Sequence, residues 1–157
     1  MLVSVIADTH IKVAAKDLPQ QAYHWIRQSD AIIHAGDLVN EIILDRLANL
    51  CPVYAVLGNN DRGLKLPLFL ELELEGVKLA VIHDSGPKHN RGKRLRHKFP
   101  EARIVVFGHS HIPVCSDEEG LLLFNPGSPT DKRGQPYPTM GLLRLNDGEF
   151  AAEIVNL

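Results

Sequence analysis

The sequence predicts an α/β fold, two packed β-sheets with helices outside, and three observations predict it. Short runs of branched residues alternate with helical patterns over about the first 60 positions. The second half carries paired apolar runs joined by turn signals. Polar residues with metal-binding chemistry fall just after the ends of the apolar runs.

Leu2 to Ala7 (LVSVIA) is short, branched and closed by Asp8, which reads as a buried strand. Pro19 suits a first helical turn, and Gln20 to Gln28 carries Ala22, Tyr23 and Ile26 at helical spacing, a crossover helix. Ala31 to Ala35 (AIIHA) is a second strand, Asn40 caps a helix from Glu41 to Leu50, and Val53 to Leu57 is a third strand. Such alternation implies a parallel sheet with right-handed crossovers, whose ligands gather at the carboxyl ends of the strands. From Phe69 to Glu75, leucines alternate with glutamates, a strand with one wet face, and Gly76 turns it into Val77 to Ile82. Arg103 to Phe107 is a strand ending in GHSH, and Leu121 to Phe124 is another ending in NPGS. Gly141 to Leu145 and Glu149 to Val155 flank a turn signal at Asn146, Asp147 and Gly148. Pro126, Pro129, Pro136 and Pro138 mark one long loop, expected to be ordered near the site.

With 157 residues, 45% of them apolar, the chain is expected to form one domain over 1–157. Lys plus Arg number 17 against 19 Asp plus Glu, a net charge of −2, so no global field draws it to nucleic acid or anionic lipid. No apolar stretch approaches the roughly 20 residues needed to cross a bilayer, and the N-terminus lacks the pattern of an export signal. Cys51 and Cys115 stand far apart and read as free, small core residues, so the expected location is the cytoplasm.

Asp8 and His10, Asp37, Asn59, His83, and His109 with His111 each follow a predicted strand, so seven candidate ligands come from five strand ends. In a sheet of this kind those ends open onto one edge. In Asp8-Thr9-His10 and His109-Ser110-His111 the i and i+2 residues are expected to leave an extended loop on the same side. Carboxylate, imidazole and amide donors suit manganese, iron, cobalt, nickel or zinc better than magnesium or calcium. Seven ligands exceed one ion's needs, whereas two ions about 3.5 to 4 Å apart share a carboxylate and a hydroxide that attacks phosphorus.

Asp8-x-His10, Gly36-Asp37, Gly58-Asn59-Asn60-Asp61, His83 and Gly108-His109-Ser110-His111 together resemble the signature of the calcineurin-like metallophosphoesterases. The resemblance runs through Asn125-Pro126-Gly127-Ser128, and its compactness is similar to the small YfcE-like phosphodiesterases. It implies a four-layer αββα sandwich of two mixed sheets flanked by helices. It further implies that Asp8, His10, Asp37 and His111 hold one divalent ion and Asp37, Asn59, His83 and His109 the other, with Asp37 as the bridge. Manganese is the expected metal, with nickel, iron, cobalt or zinc as alternatives. Asp37, Asn59 and His109 are expected to act in catalysis, Asn59 by orienting phosphate.

Two departures from the family pattern shape the expected substrate. Many monoesterases of the superfamily carry a histidine directly after the motif asparagine, where this chain has Asn60, which has no catalytic proton to give. The expected substrate is therefore a small phosphodiester, cyclic nucleotides included, rather than a monoester. Asp84 stands where glycine is common, either supporting a ligand or narrowing the pocket. Extended nucleic acid is not expected, because aromatics are nearly absent from the basic run and long additional domains have no room. The rival from another class is a non-catalytic interaction protein of the same fold.

The remaining features read more plainly. His34, turned away from Asp37 by strand alternation, reads as a residue that supports a ligand or packs rather than as a ligand itself, and His24, His89 and His97 are solvated. Lys88 to Lys98 is a solvated helix face or a basic rim that draws anions. Asn125 to Ser128 is a turn, or a loop whose amides face phosphate. Apolar residues around Leu64 to Leu70 offer a surface for a homo-oligomer.

Overall fold

A computed structural model describes the whole chain, Met1–Leu157. Its elements are β1 (Leu2–Ile6), α1 (Gln20–Ile26), β2 (Ala31–His34), α2 (Glu41–Ala48), β3 (Val53–Ala55), β4 (Phe69–Leu74) and β5 (Val77–Ile82). They continue with α3 (Arg91–Lys98), β6 (Ile104–Val106), β7 (Val114–Glu118), β8 (Leu121–Asn125), β9 (Thr139–Asn146) and β10 (Glu149–Asn156). Two five-stranded mixed sheets form, in the orders β10-β9-β1-β2-β3 and β4-β5-β6-β8-β7. In the first, β1, β2 and β3 run parallel; in the second, β5, β6 and β8 do. This is the four-layer αββα sandwich expected from the sequence.

Strand alternation divides the core. Val3 and Val5 of β1 and Ile33 of β2 meet Leu79, Val81, Val106 and Phe124 between the sheets. Ile6, Ile32 and Leu142 face the other way, onto Ala22 and Ile26 of α1 and Ile43 and Leu47 of α2. Leu95 and Phe99 at α3 cover Val105, Leu121 and Leu123 on the opposite face. At roughly 1.5 to 3 kcal/mol per fully buried large apolar side chain, these three clusters are the main source of stability. No helix is long and apolar enough to cross a membrane.

Local chemistry accounts for the ends of the elements. The Asn40 side chain accepts from Ile42 N at 2.7 Å, the expected cap of α2. The Asp147-Gly148 turn between β9 and β10 has both residues at positive φ, the twist that two-residue hairpins require. Glu75-Gly76 and Glu119-Gly120 repeat that geometry between β4 and β5 and between β7 and β8.

Strand β7 differs from the expectation, since no sequence signal marks it. The basic run forms the expected helix, α3, but its arginines are engaged by the protein itself rather than solvated or forming a rim that draws anions. Arg94 donates to the carbonyls of Ser85, Pro87 and His89, and Arg96 to those of Pro100, Ala102 and Gly120. The guanidinium of Arg91 lies over the Phe107 ring. These side chains staple the loops on either side of α3 to the helix. The cysteines are free as expected, but neither is a core residue: Cys51 is half-buried and Cys115 exposed.

Candidate metal centre

All the parallel strands end on one edge, and that edge gathers the candidate ligands. β1 delivers Asp8 and His10, β2 Asp37, β3 Asn59, β5 His83, and β6 His109 and His111. Asp8, Asp37, His83 and His111 are buried and form a floor; His10 is half-buried, and Asn59 and His109 are exposed and form the rim. The expected extended geometry of the two i, i+2 pairs is not what the backbone adopts. Asp8, His10, Asp37, His109 and His111 all sit at positive φ, between 47° and 68°. Each such residue costs about 1–2 kcal/mol relative to ordinary backbone, so the surrounding loops must hold them there.

The restraints are visible. Asp8 N donates to Gly36 O at 2.9 Å, His10 N to Asp37 O at 3.0 Å, and His109 N to Asp8 Oδ1 at 3.2 Å. Asp61, which the sequence placed in a motif without assigning it a task, accepts from the amides of Asp37, Val39 and Gly58 at 2.8, 2.6 and 2.7 Å. It clamps the β2 loop to the β3 loop. The NPGS segment proves to be a buttress rather than an anion cradle. Asn125 Nδ2 donates to Gly108 O, and Ser128 Oγ donates to Asp8 O while accepting from Asp131 N. Glycine is required at Gly58, where a Cβ would collide with the Asp37 carboxylate, and at Gly108, where it would lie 2.8 Å from Asp8 Oδ2.

The side chains converge in two overlapping groups. Ligand atoms of Asp8, His10 and His111 lie within 4.8 Å of one another, and so do those of Asp8, Asp37 and His83. Asp37 faces both ways, with Oδ2 3.6 Å from His10 Nε2 and Oδ1 3.6 Å from His83 Nε2. His109 lies outside both tight groups and joins through Asn59, whose Oδ1 is 3.0 Å from His83 Nε2 and from His109 Nδ1. His83 Nδ1 is 2.7 Å from Ala35 O and His111 Nδ1 2.6 Å from Asp131 O. A proton on each Nδ1 satisfies those carbonyls and leaves both Nε2 atoms as free donors to a metal.

Electrostatics test whether cations fit. Asp8 Oδ2 is buried with no hydrogen-bond partner. Burial, followed by the neighbouring Asp37 charge, pushes the Asp8 carboxyl up to about 8. A carboxyl buried in this way either takes a proton or gains a cation beside it, and the imidazoles and second carboxylate around Asp8 make a donor set that fits metal ions. Burial also raises Asp37, but hydrogen bonds from Asn60 outweigh it and hold the carboxyl below its ordinary range. Burial lowers His83 and His111, favouring the neutral imidazoles that ligation needs.

The departures from the family pattern resolve here. Asn60 donates from N and Nδ2 to the two Asp37 oxygens at 2.8 and 2.6 Å. Asp84 is exposed and accepts from Gly86 N at 2.7 Å, so it shapes a turn and neither supports a ligand nor narrows the pocket. His34 is fully buried, with Nε2 3.1 Å from Thr9 Oγ1; burial, then the His83 charge, lowers it to about 3, so it packs as a neutral ring. His24, His89 and His97 are exposed, as expected.

Residues 1–148 match the calcineurin-like phosphoesterase superfamily domain. The chain is 37% identical over 161 residues to a probable metallophosphoesterase of Methanothermobacter thermautotrophicus, covering 99% of this chain and 92% of that one. A phosphodiesterase of Methanocaldococcus jannaschii is 25% identical over 137 residues, covering 77% of this chain and 80% of its own. In fold, a variant of Vps29 from Entamoeba histolytica superposes with a TM-score of 0.82 at 23% identity, over 100% of this chain and 99% of that one. Matched along nearly its whole length, and carrying the motif residues at the strand ends where the candidate metal ligands gather, the chain belongs to the calcineurin-like phosphoesterase superfamily.

Proposed function

We propose that this protein is a metal-dependent phosphodiesterase acting on small phosphodiesters, cyclic nucleotides among them. The observation that carries the reading is the convergence of Asp8, His10, Asp37, His83 and His111 around a buried, unpartnered Asp8 oxygen, with Asn59 and His109 joined to them at the rim. Asp8, His10, Asp37 and His111 would hold one divalent ion, and Asp37, Asn59, His83 and His109 the other, with manganese the first choice. Two such ions, when bound, neutralise phosphate oxygens and bring a shared water to its hydroxide form.

The chain's own residues supply the rest. Asp37 presents one oxygen to each half of the site, and the Asn60 amides fix that carboxylate in place. With Asn59 Oδ1 turned to His83 and His109, its Nδ2 is left to donate to a phosphate oxygen at the exposed rim. His109, exposed beside it, completes that rim. Asn60 is spent on Asp37 and has no proton to give to an alkoxide leaving group, which favours diesters with better leaving groups over monoesters. The Methanocaldococcus relative called a phosphodiesterase supports this choice. The free, unpaired thiols support a cytoplasmic setting.

A second reading, a non-catalytic interaction protein, draws on the fold shared with Vps29. The complete donor set speaks for hydrolysis. Asp37→Ala is expected to abolish turnover while leaving a folded protein; an Asp37→Ala variant that still hydrolyses diesters refutes the assignment.

A further inference from the structure

A cleft beside His10 plays no part in the chemistry so far. It measures about 730 Å³, and His10, Lys12, Lys16, Asp17, Pro129 and Asp131 are among the residues lining it. It meets the metal centre along two of them. His10 Nε2 lies 3.6 Å from Asp37 Oδ2, and the Asp131 carbonyl holds His111 Nδ1. A phosphoryl group seated at the centre would therefore have one ester arm at the mouth of this cleft. The volume falls within the roughly 300–1,000 Å³ of small-molecule sites, enough for a nucleoside-sized arm.

Its charges are committed unequally. The Asp17 carboxylate accepts from the Tyr23 hydroxyl at 2.6 Å and Leu18 N at 2.8 Å, and lies 3.2 Å from Arg46 Nη1. The Asp131 carboxylate lies 3.6 Å from His111 Nδ1 and 4.0 Å from Arg133 Nε. Lys12 and Lys16 are exposed and enter no ion pair. Their backbone is nonetheless pinned to α2: Asn40 Nδ2 donates to Lys12 O at 3.2 Å, and Arg46 Nη1 to Lys16 O at 2.8 Å. Two ammonium groups thus stand free on a tethered loop, in a cleft whose acids already have partners.

We propose that this cleft receives one ester arm of the substrate and that Lys12 and Lys16 select an arm bearing a second phosphate. Compact, mobile ammonium charges suit a terminal phosphate better than a planar carboxylate, which favours the bidentate fork of arginine. The proposal rests on the phosphodiester reading for the bond that is cut, and on the cleft alone for the group that is recognised.

The test uses the manganese-loaded protein and a Lys12→Ala, Lys16→Ala double variant; both lysines are exposed, so folding is not at risk. Calorimetry compares thymidine carrying two phosphates with thymidine carrying one, and turnover compares the p-nitrophenyl phosphodiester of thymidine with and without a second phosphate on the sugar. Wild type should prefer the doubly phosphorylated ligand by about tenfold, the scale of two partly exposed charge contacts. The variant should lose that preference through KM, with kcat and the affinity for the singly phosphorylated ligand unchanged. An equal preference in variant and wild type, or none in wild type, overturns the proposal. If wild type cleaves neither diester yet the variant erases the binding preference, the reaction reading fails and the cleft assignment stands.

Discussion

The Asp37 carboxylate is held by contacts that leave little room for substitution. Its Oδ1 and Oδ2 take the Asn60 amides, its own N–H goes to Asp61, and Gly58 stands where any side chain would strike it. Gly58→Ala should therefore displace the carboxylate and lower manganese affinity at least about tenfold, the scale of losing support for a ligand, as read by titration of metal-stripped protein. Unchanged affinity would mean the loop yields without disturbing Asp37. Asp61→Ala removes the acceptor of three backbone donors and should cost at least about 2 kcal/mol in denaturant unfolding, at roughly 1–3 kcal/mol for each donor left buried and unpaired. A loss below half of that would show that water satisfies those amides. At this scale the ligands were legible as residue types after strands, but their left-handed backbone was not. Aspartate and histidine visit that region several-fold more often than most residues, yet only in a small minority of their occurrences, so their identity alone does not announce it.

Among the elements, α1 and α2 are linked through the loop before α1, where the Tyr23 hydroxyl, Leu18 N and Arg46 meet Asp17. Burial raises the Asp17 carboxyl, but those donors outweigh it and hold it below the ordinary value of 3.8. A carboxyl depressed on folding adds stability above its unfolded pKa and loses it as pH falls through the folded one. Asp17→Asn should therefore lower Tm at pH 7, and the gap from wild type should close below about pH 4. A gap that persists in acid would assign the effect to packing instead. In α3, Arg94→Ala should cost about 1 kcal/mol and Arg94→Lys should recover little of it, because one ammonium does not reproduce a fork reaching three carbonyls. Full recovery by lysine would reduce the contact to simple charge.

Strand β7, which the sequence conceals, and helix α3, legible only as a charged run, share one property, little apolar surface of their own. Strand β7 sits at a sheet edge with no residue fully buried, so its composition is polar and its alternation faint. Helix α3 buries only Gly92 and Leu95, and its cohesion comes from arginines bonded to distant carbonyls. By contrast, β2 and β6 are buried throughout and β1 at all but its first residue, Leu2, and these were legible as continuous apolar runs.

At the scale of the whole molecule, sheet topology makes the site. Six parallel strands in two sheets bring residues separated by a hundred positions to one edge, as the 3.2 Å contact between His109 N and Asp8 Oδ1 shows. That convergence was legible because parallel order follows from strand and helix alternation in the first half, and the matching strands of the second half end in the same kind of motif. Which oxygen is left without a partner was not legible, since it depends on the packing of five loops together. The measurement that tests the central claim most directly is hydrolysis of an aryl phosphodiester against its matching monoester, using metal-stripped protein resupplied with manganese, nickel, zinc or magnesium. Diester cleavage restored by manganese or nickel, with little monoester cleavage, is the predicted result; preference for the monoester, or no turnover with any of the four metals, would contradict it.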